Sequence, residues 1–255
     1  MLEHLYVDSV DLTTFGAYLF DQRTLDAPEK EYTFYDVPSR DGSVIGLNKR
    51  MKNIDVEYYF VINSNVETNL KNLRSFLLSR DGYVRISDSG HSGEFRMGLY
   101  RGNMQVKATR NRDMVKGVIV FNCQPQRWLT DGETPITKTK TSSASQSQSY
   151  TLNNPTHFHS KPLIRITGDG AVSIAGRSIT ILTTLTHSYV DIDCDSMACY
   201  CGNLNCSPDV IIRYSNEATS YGADPPTLPP GDWGITFPAN TNVTEVTITP
   251  RYWEA

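Results

Sequence analysis

The sequence predicts a mainly β protein in two domains, with a single helix in the first. Three observations predict it. Short runs rich in β-branched and aromatic residues recur along the 255-residue chain, separated by Gly, Asn, Asp and Pro. Only one segment repeats apolar residues at helical spacing. Charge is also uneven: residues 1–132 hold 17 Lys/Arg against 17 Asp/Glu, while residues 133–255 hold 7 against 11 and are rich in Thr, Ser and Pro. The length suits one large or two ordinary domains and buries a core without covalent staples.

In the first half, IDVEYYFVI (54–62) and VKGVIVFNC (115–123) are β-branched and aromatic, and YVRIS (83–87) and EFRMGLY (94–100) alternate apolar with polar side chains. SRDG at 39–42 and again at 79–82 reads as a turn. Between these strands, Val66, Leu70, Leu73 and Leu77 recur at helical spacing beside Phe76. Ser64 and Glu67 fit a capping box, so the helix is expected to start there and run to about Leu78, with Asp81-Gly82 ending it. Its apolar stripe needs a sheet to cover.

TKTKTSSASQSQS (137–149) has no apolar residue larger than Ala144 and no period. It reads as linker or exposed loop, giving domains at 1–132 and 150–255 joined by residues 133–149. The second half reads as all β. PLIRIT (162–167), AVSIA (171–175) and SITIL (178–182) are joined by Gly168-Asp169-Gly170 and Ala175-Gly176-Arg177 turns. SYVDID (188–193), VIIRY (210–214), WGITF (233–237) and VTEVTIT (243–249) follow, a spacing that suggests a β-sandwich.

Net charge is −4, too weak to point to a nucleic-acid or membrane partner. The opening MLEHLYVDSVDLTTFG has no basic n-region, and no stretch approaches the ~20 apolar residues of a membrane span. The expectation is a soluble chain that meets a reducing cytosol first, where thiols stay free by default.

Four of the five cysteines crowd into CDSMACYCGNLNC (194–206). The spacing C-x4-C-x-C-x4-C lacks the C-x2-C knuckle of common structural zinc sites, and so is a weak metal signal. Strand parity places Val190, Ile192 and Cys194 on one face and Asp191, Asp193 and Asp195 on the other. Cys194 then reads as core. A zinc site would use Cys199, Cys201 and Cys206 with a further ligand such as His157 or His159. Adjacent-strand disulfides are another reading. The reading preferred on spacing is free thiols on and near a loop. Asp191-x-Asp193-x-Asp195 begins like a calcium loop, but Ser196 and Gly202 stand where Gly and Glu are required. A solvated acidic strand face is expected instead.

His157-x-His159 alone is weak as a metal pair, and G-x-S-x-G, P-loop and G-x-G-x-x-G patterns are absent. Arg96, Arg101, Lys107, Arg110, Arg112 and Lys116 form a basic region diluted by Glu94 and Asp113, without regularly interleaved aromatics. No catalytic residue, cofactor-binding residue or metal ligand is assigned, and the chain is not expected to be an enzyme.

The wording of several segments goes further. VDSVDLTTFGAYL, then VPSRDGSVIGLNKRMKNIDVEYYFVI, the helix with FLLSRDGYVRISD after it, and VIVFNCQPQRWL follow one another in the first half. LNNPTHFHSKPLIRITGDGAVSIAGRSI, VDIDCDSMACY and LPPGDWGITF follow in the second. In order and spacing they resemble the distal tail protein family of long, non-contractile-tailed bacteriophages, over nearly the whole chain. Asn154-Pro155-Thr156 lacks the glycine usual at that place, Trp233 stands where Asn is common, and the cysteine cluster is foreign to the pattern.

The resemblance implies an N-terminal β-sandwich or split-barrel-like domain with one helix, and a C-terminal galectin-like β-sandwich. It implies a hexameric ring at the tail tip, joining the tail tube to the tip protein or tail-associated lysin and to a receptor-binding apparatus, with no catalysis and no cofactor. It places the protein at the distal end of the virion tail, assembled in the host cytoplasm. The alternative is a carbohydrate-binding adhesion module recognising host cell-wall glycan, with Trp233, Tyr221 and Trp253 stacking on sugar.

Overall fold

The computed structural model describes residues 3–23, 27–109, 113–182, 187–214 and 224–255. Contacts divide the chain into two compact units, one running up to Arg127 and including Ala255, the other Trp128–Glu254. Among the described residues, no helix is long and apolar enough to cross a membrane.

The first unit holds β1 (Leu5–Val7), β2 (Val10–Asp11), β3 (Ala17–Arg23), β4 (Lys30–Asp36), β5 (Ser43–Met51), β6 (Ile54–Ile62), α1 (Val66–Leu78), β7 (Val84–Asp88), β8 (Glu94–Ala108) and most of β9 (Val115–Leu129). Its main sheet runs in the order β2-β1-β7-β8-β9-β6-β3. β6 and β9 pair antiparallel along their length, from Ile54 opposite Cys123 to Ile62 opposite Val115. Period two makes this pairing productive. Phe60, Ile62, Ile119, Phe121 and Cys123 all turn to the same buried side.

α1 covers that side. Leu73 and Leu77 are buried in the cluster formed by these strands, with Val66, Leu70 and Phe76 packed at its margin. The helix ends at Leu78, as the spacing predicts. Its start differs. Asn65, at φ 43, precedes the helix and makes no side-chain cap bond. Ser64 lies one residue outside, and its carbonyl accepts from Asn69 Nδ2 at 2.8 Å. The left-handed turn at Asn65 therefore replaces the expected capping box, while Glu67 still sits in the first turn, where the helix dipole favours a carboxylate.

The second unit holds β10 (Ile136–Thr139), β11 (Gln148–Asn154), β12 (Leu163–Thr167), β13 (Gly170–Ile174), β14 (Arg177–Ile181), β15 (Tyr189–Asp193), β16 (Ala198–Cys201), β17 (Leu204–Asn205), β18 (Val210–Tyr214), β19 (Gly231–Phe237) and β20 (Glu245–Thr249). One sheet runs β10-β20-β12-β15-β16-β17 and the other β11-β19-β13-β14-β18. Ile164, Ile166, Val190, Ile192, Val246 and Ile248 from the first meet Val172, Ile174, Ile179, Ile181, Ile235 and Phe237 from the second in one buried cluster. This is a β-sandwich. Gly168, at φ 96, turns the chain from β12 towards β13, and any Cβ there would strike the Asn242 backbone.

The segment read as linker is built into this sandwich. Ile136–Thr139 pairs with β20, from Ile136 opposite Ile248 to Thr139 opposite Glu245. Gln148 Oε1 accepts the Thr141 and Ser142 N–H groups at 2.8 and 2.9 Å. β10 is an edge strand that offers only alternate residues to the interior, so a polar sequence suffices there.

Candidate functional site

The cysteine segment occupies the end of a sheet. β15 carries Val190 and Ile192 into the core, and Cys194 follows them at 4% exposure. Burial pushes the Cys194 thiol up to about 12, and the charge of Asp193 acts in the same direction. Cys199, Cys201 and Cys206 are buried as well and belong to the same core cluster. The expectation of free thiols on and near a loop is thereby corrected. The loop is a short hairpin, β16 to β17, whose inward positions are cysteine, and Cys201 and Cys206 are joined in a disulfide. Cys123, Cys194 and Cys199 remain free and buried.

The acidic face of β15 is corrected too. Asp191 is only 6% exposed. Its strand lies between β12 and β16, so its direct neighbours are Arg165 on one side and Tyr200 on the other. Arg165 Nε and Nη2 donate to Asp191 Oδ1 and Oδ2 at 2.7 and 2.8 Å. Arg251 Nη1 donates to Asp193 Oδ1 at 2.7 Å, and Lys161 Nζ to Asp195 Oδ1 at 3.0 Å. Each carboxylate is matched to a cation of its own chain, which leaves no calcium cradle here.

The two histidines of the loop before β12 do not converge on the cysteines. His157 pairs with Glu254 at 3.1 Å, and His159 Nδ1 lies 3.4 Å from Thr227 Oγ1. Among the described residues one group of three His, Cys, Asp or Glu donors does converge, namely His187, Cys201 and Cys206, with donor atoms within 4.8 Å of one another. His187 is missed by sequence reasoning, because nothing in its spacing ties it to cysteines that return to it through a hairpin.

The basic region does not form one face. Arg101 lies 3.8 Å from Asp55, and Lys116 Nζ sits 4.8 Å from the Phe20 ring centroid. Arg96 is partly buried, which lowers its pKa, and neighbouring Arg127 lowers it further. Arg110 and Arg112 lie outside the described residues. The aromatic trio proposed for sugar stacking fares similarly. Trp233 is core at 5% exposure. Trp253 stacks on Phe158, ring centroids 4.3 Å apart, and its Nε1 donates to the His159 carbonyl at 3.0 Å. Tyr221 lies outside the described residues.

Among the described residues, a group of exposed apolar side chains lies elsewhere. β4 and β5 pair with each other in a separate two-stranded sheet, from Tyr32 opposite Leu47 to Asp36 opposite Ser43. Tyr32, Phe34, Tyr35, Val37, Val44 and Ile45 are 36–65% exposed. Phe34 and Tyr35 are adjacent, so both faces of the ribbon carry large apolar side chains. A lone hairpin is marginal in water, and exposed apolar patches mark contact sites.

No family model matches the chain, and no curated protein does. A solved structure does match: the Dit protein of phage SPP1, described as a paradigm of the hub adsorption apparatus in phages infecting Gram-positive hosts. It is similar at a TM-score of 0.63 with 15% identity, over 97% of this chain and 98% of that one. The chain has the fold of SPP1 Dit. The uncovered share is far shorter than either unit, so both the helix-backed sheet and the sandwich take part in the likeness to Dit.

Proposed function

We propose that this protein is a structural component of a phage tail tip, a non-enzymatic hub subunit that assembles as a hexameric ring. The ring joins the tail tube to the tip protein or tail-associated lysin and supports the receptor-binding apparatus, at the distal end of the virion tail. The observation that carries this reading is the end-to-end likeness to SPP1 Dit across both units.

Two features of the chain support it. The β4–β5 ribbon offers apolar side chains on both faces and has no partner strand beyond itself among the described residues. A second copy of this chain is the occupant that suits it, in a heterologous contact that closes when repeated around an axis. The even charge balance of residues 1–132, 17 against 17, suits ion pairing between copies rather than repulsion. Against an adhesion module stands the fate of its aromatics, with Trp233 buried and Trp253 stacked on Phe158.

Light scattering on the purified full chain is expected to give the mass of a hexamer or a pair of hexamers. A monomer at every concentration contradicts the reading.

A further inference from the structure

Cys201 closes β16 and Cys206 follows β17, and Gly202 at φ 60 lets the chain reverse between them. Their Cα atoms are 6.0 Å apart. Backbone bonds hold the returning strand in place. The Cys206 N–H donates to Cys199 O at 3.0 Å, and the Asp209 N–H to Cys206 O at 3.0 Å. The Ser207 N–H donates to Asn205 Oδ1 at 2.9 Å. Both cysteines lie in the wall of the sandwich core, at 2% and 4% exposure.

Beside them stands His187, two residues before β15, with a ring nitrogen within 4.8 Å of both sulfurs. The disulfide joins the two sulfurs, and the imidazole stands within reach of both. Reduction of that disulfide by a small-molecule dithiol transfers two electrons and yields two thiols at this place, while the dithiol becomes a disulfide. Two thiolates in apolar surroundings are costly without a cation, and thiolate with neutral imidazole is the donor set that zinc prefers.

We propose that Cys201 and Cys206, once reduced, bind one zinc-class divalent cation together with His187. Binding displaces the two thiol protons, so the cation replaces the disulfide as the link across the hairpin. It also ties the segment that leads into β15 to the β16–β17 hairpin, a link the disulfide does not make. Three protein donors are the number found in open zinc sites, whose fourth tetrahedral position is taken by water. Cys199 and Cys194 stay outside the set and remain thiols.

The test uses the full chain, purified without oxygen in the presence of a dithiol and loaded with cobalt(II) as a spectroscopic substitute, with zinc content measured in parallel. The expected result is one metal per chain and a thiolate-to-cobalt charge-transfer band. His187→Ala and Cys206→Ser are expected to weaken binding by at least tenfold, the low end of the ~10–100-fold that loss of even an outer-shell partner costs. Far-ultraviolet circular dichroism confirms that each variant is folded. His159→Ala serves as the histidine control and is expected to bind as the parent does. Absence of the band in the reduced parent overturns the proposal. So does a cobalt affinity unchanged in His187→Ala, or one weakened as much in His159→Ala.

Discussion

Arg165 and Asp191 face each other directly across β12 and β15 and form a two-pronged ion pair, Nε to Oδ1 at 2.7 Å and Nη2 to Oδ2 at 2.8 Å. The carboxylate is nearly buried and the arginine half exposed, its guanidinium 4.3 Å from the Tyr189 ring centroid. The outer face of this sheet is therefore knitted by charge. Arg165→Met leaves the carboxylate without its cation and is expected to cost about 1–2 kcal/mol, discounted for the exposure of the arginine. Replacing both residues with apolar ones of similar size is expected to recover part of that loss. Urea unfolding followed by tryptophan fluorescence measures both.

Asp193 gives the sandwich an acid limit. Burial acts to raise its pKa, but the Arg251 side chain and the Asp195 N–H outweigh burial and hold the carboxyl below its ordinary 3.8. A folded value below the unfolded one means that the stabilisation is complete above about pH 4 and is lost as pH falls through the folded value. Arg251→Met lifts the folded value towards the unfolded one, which removes this stabilisation at neutral pH and leaves the variant a smaller margin against acid. The midpoint of acid unfolding is expected to move upward in that variant, as read by tryptophan fluorescence.

Asn154 holds the turn after β11 from inside. It is 1% exposed. Its Nδ2 donates to Phe158 O at 3.0 Å and Leu228 O at 3.1 Å, and its Oδ1 accepts from the Thr156 N–H and hydroxyl at 3.0 and 2.8 Å. Asn154→Ala strips partners from groups sealed away from water and is expected to cost about 1–3 kcal/mol. Asn154→Asp restores the acceptor but not the donor, and is expected to remain destabilised in the same thermal melt.

Substitutions at Phe34 and Ile45 are expected to separate assembly from folding. They are 65% and 54% exposed on the β4–β5 ribbon. Phe34→Ser with Ile45→Thr is expected to change chain stability within about 0.5 kcal/mol, as exposed substitutions do. The same change is expected to lower the mass of the assembly in light scattering. Unaltered assembly would move the contact between copies away from the ribbon.

Much of this fold is legible in the sequence where periodicity reports burial directly. β6 matches the apolar alternation of residues 54–62, and parity alone places Val190, Ile192 and Cys194 inside. What resists reading depends on residues far apart in the chain. Asp191 looks like solvated acid until Arg165, 26 residues earlier, folds against it. Residues 136–139 look like linker because an edge strand needs few apolar side chains. The SRDG turn at 39–42 is readable, but that its two strands join no other sheet among the described residues is a property of the whole first unit. The convergence of His187 with Cys201 and Cys206 is set by a hairpin return that spacing alone does not encode.

Negative-stain electron microscopy of the purified full chain tests the central claim most directly. The account predicts closed rings with a central opening, alone or stacked in pairs. A field of separate single chains, up to the highest soluble concentration, would contradict it.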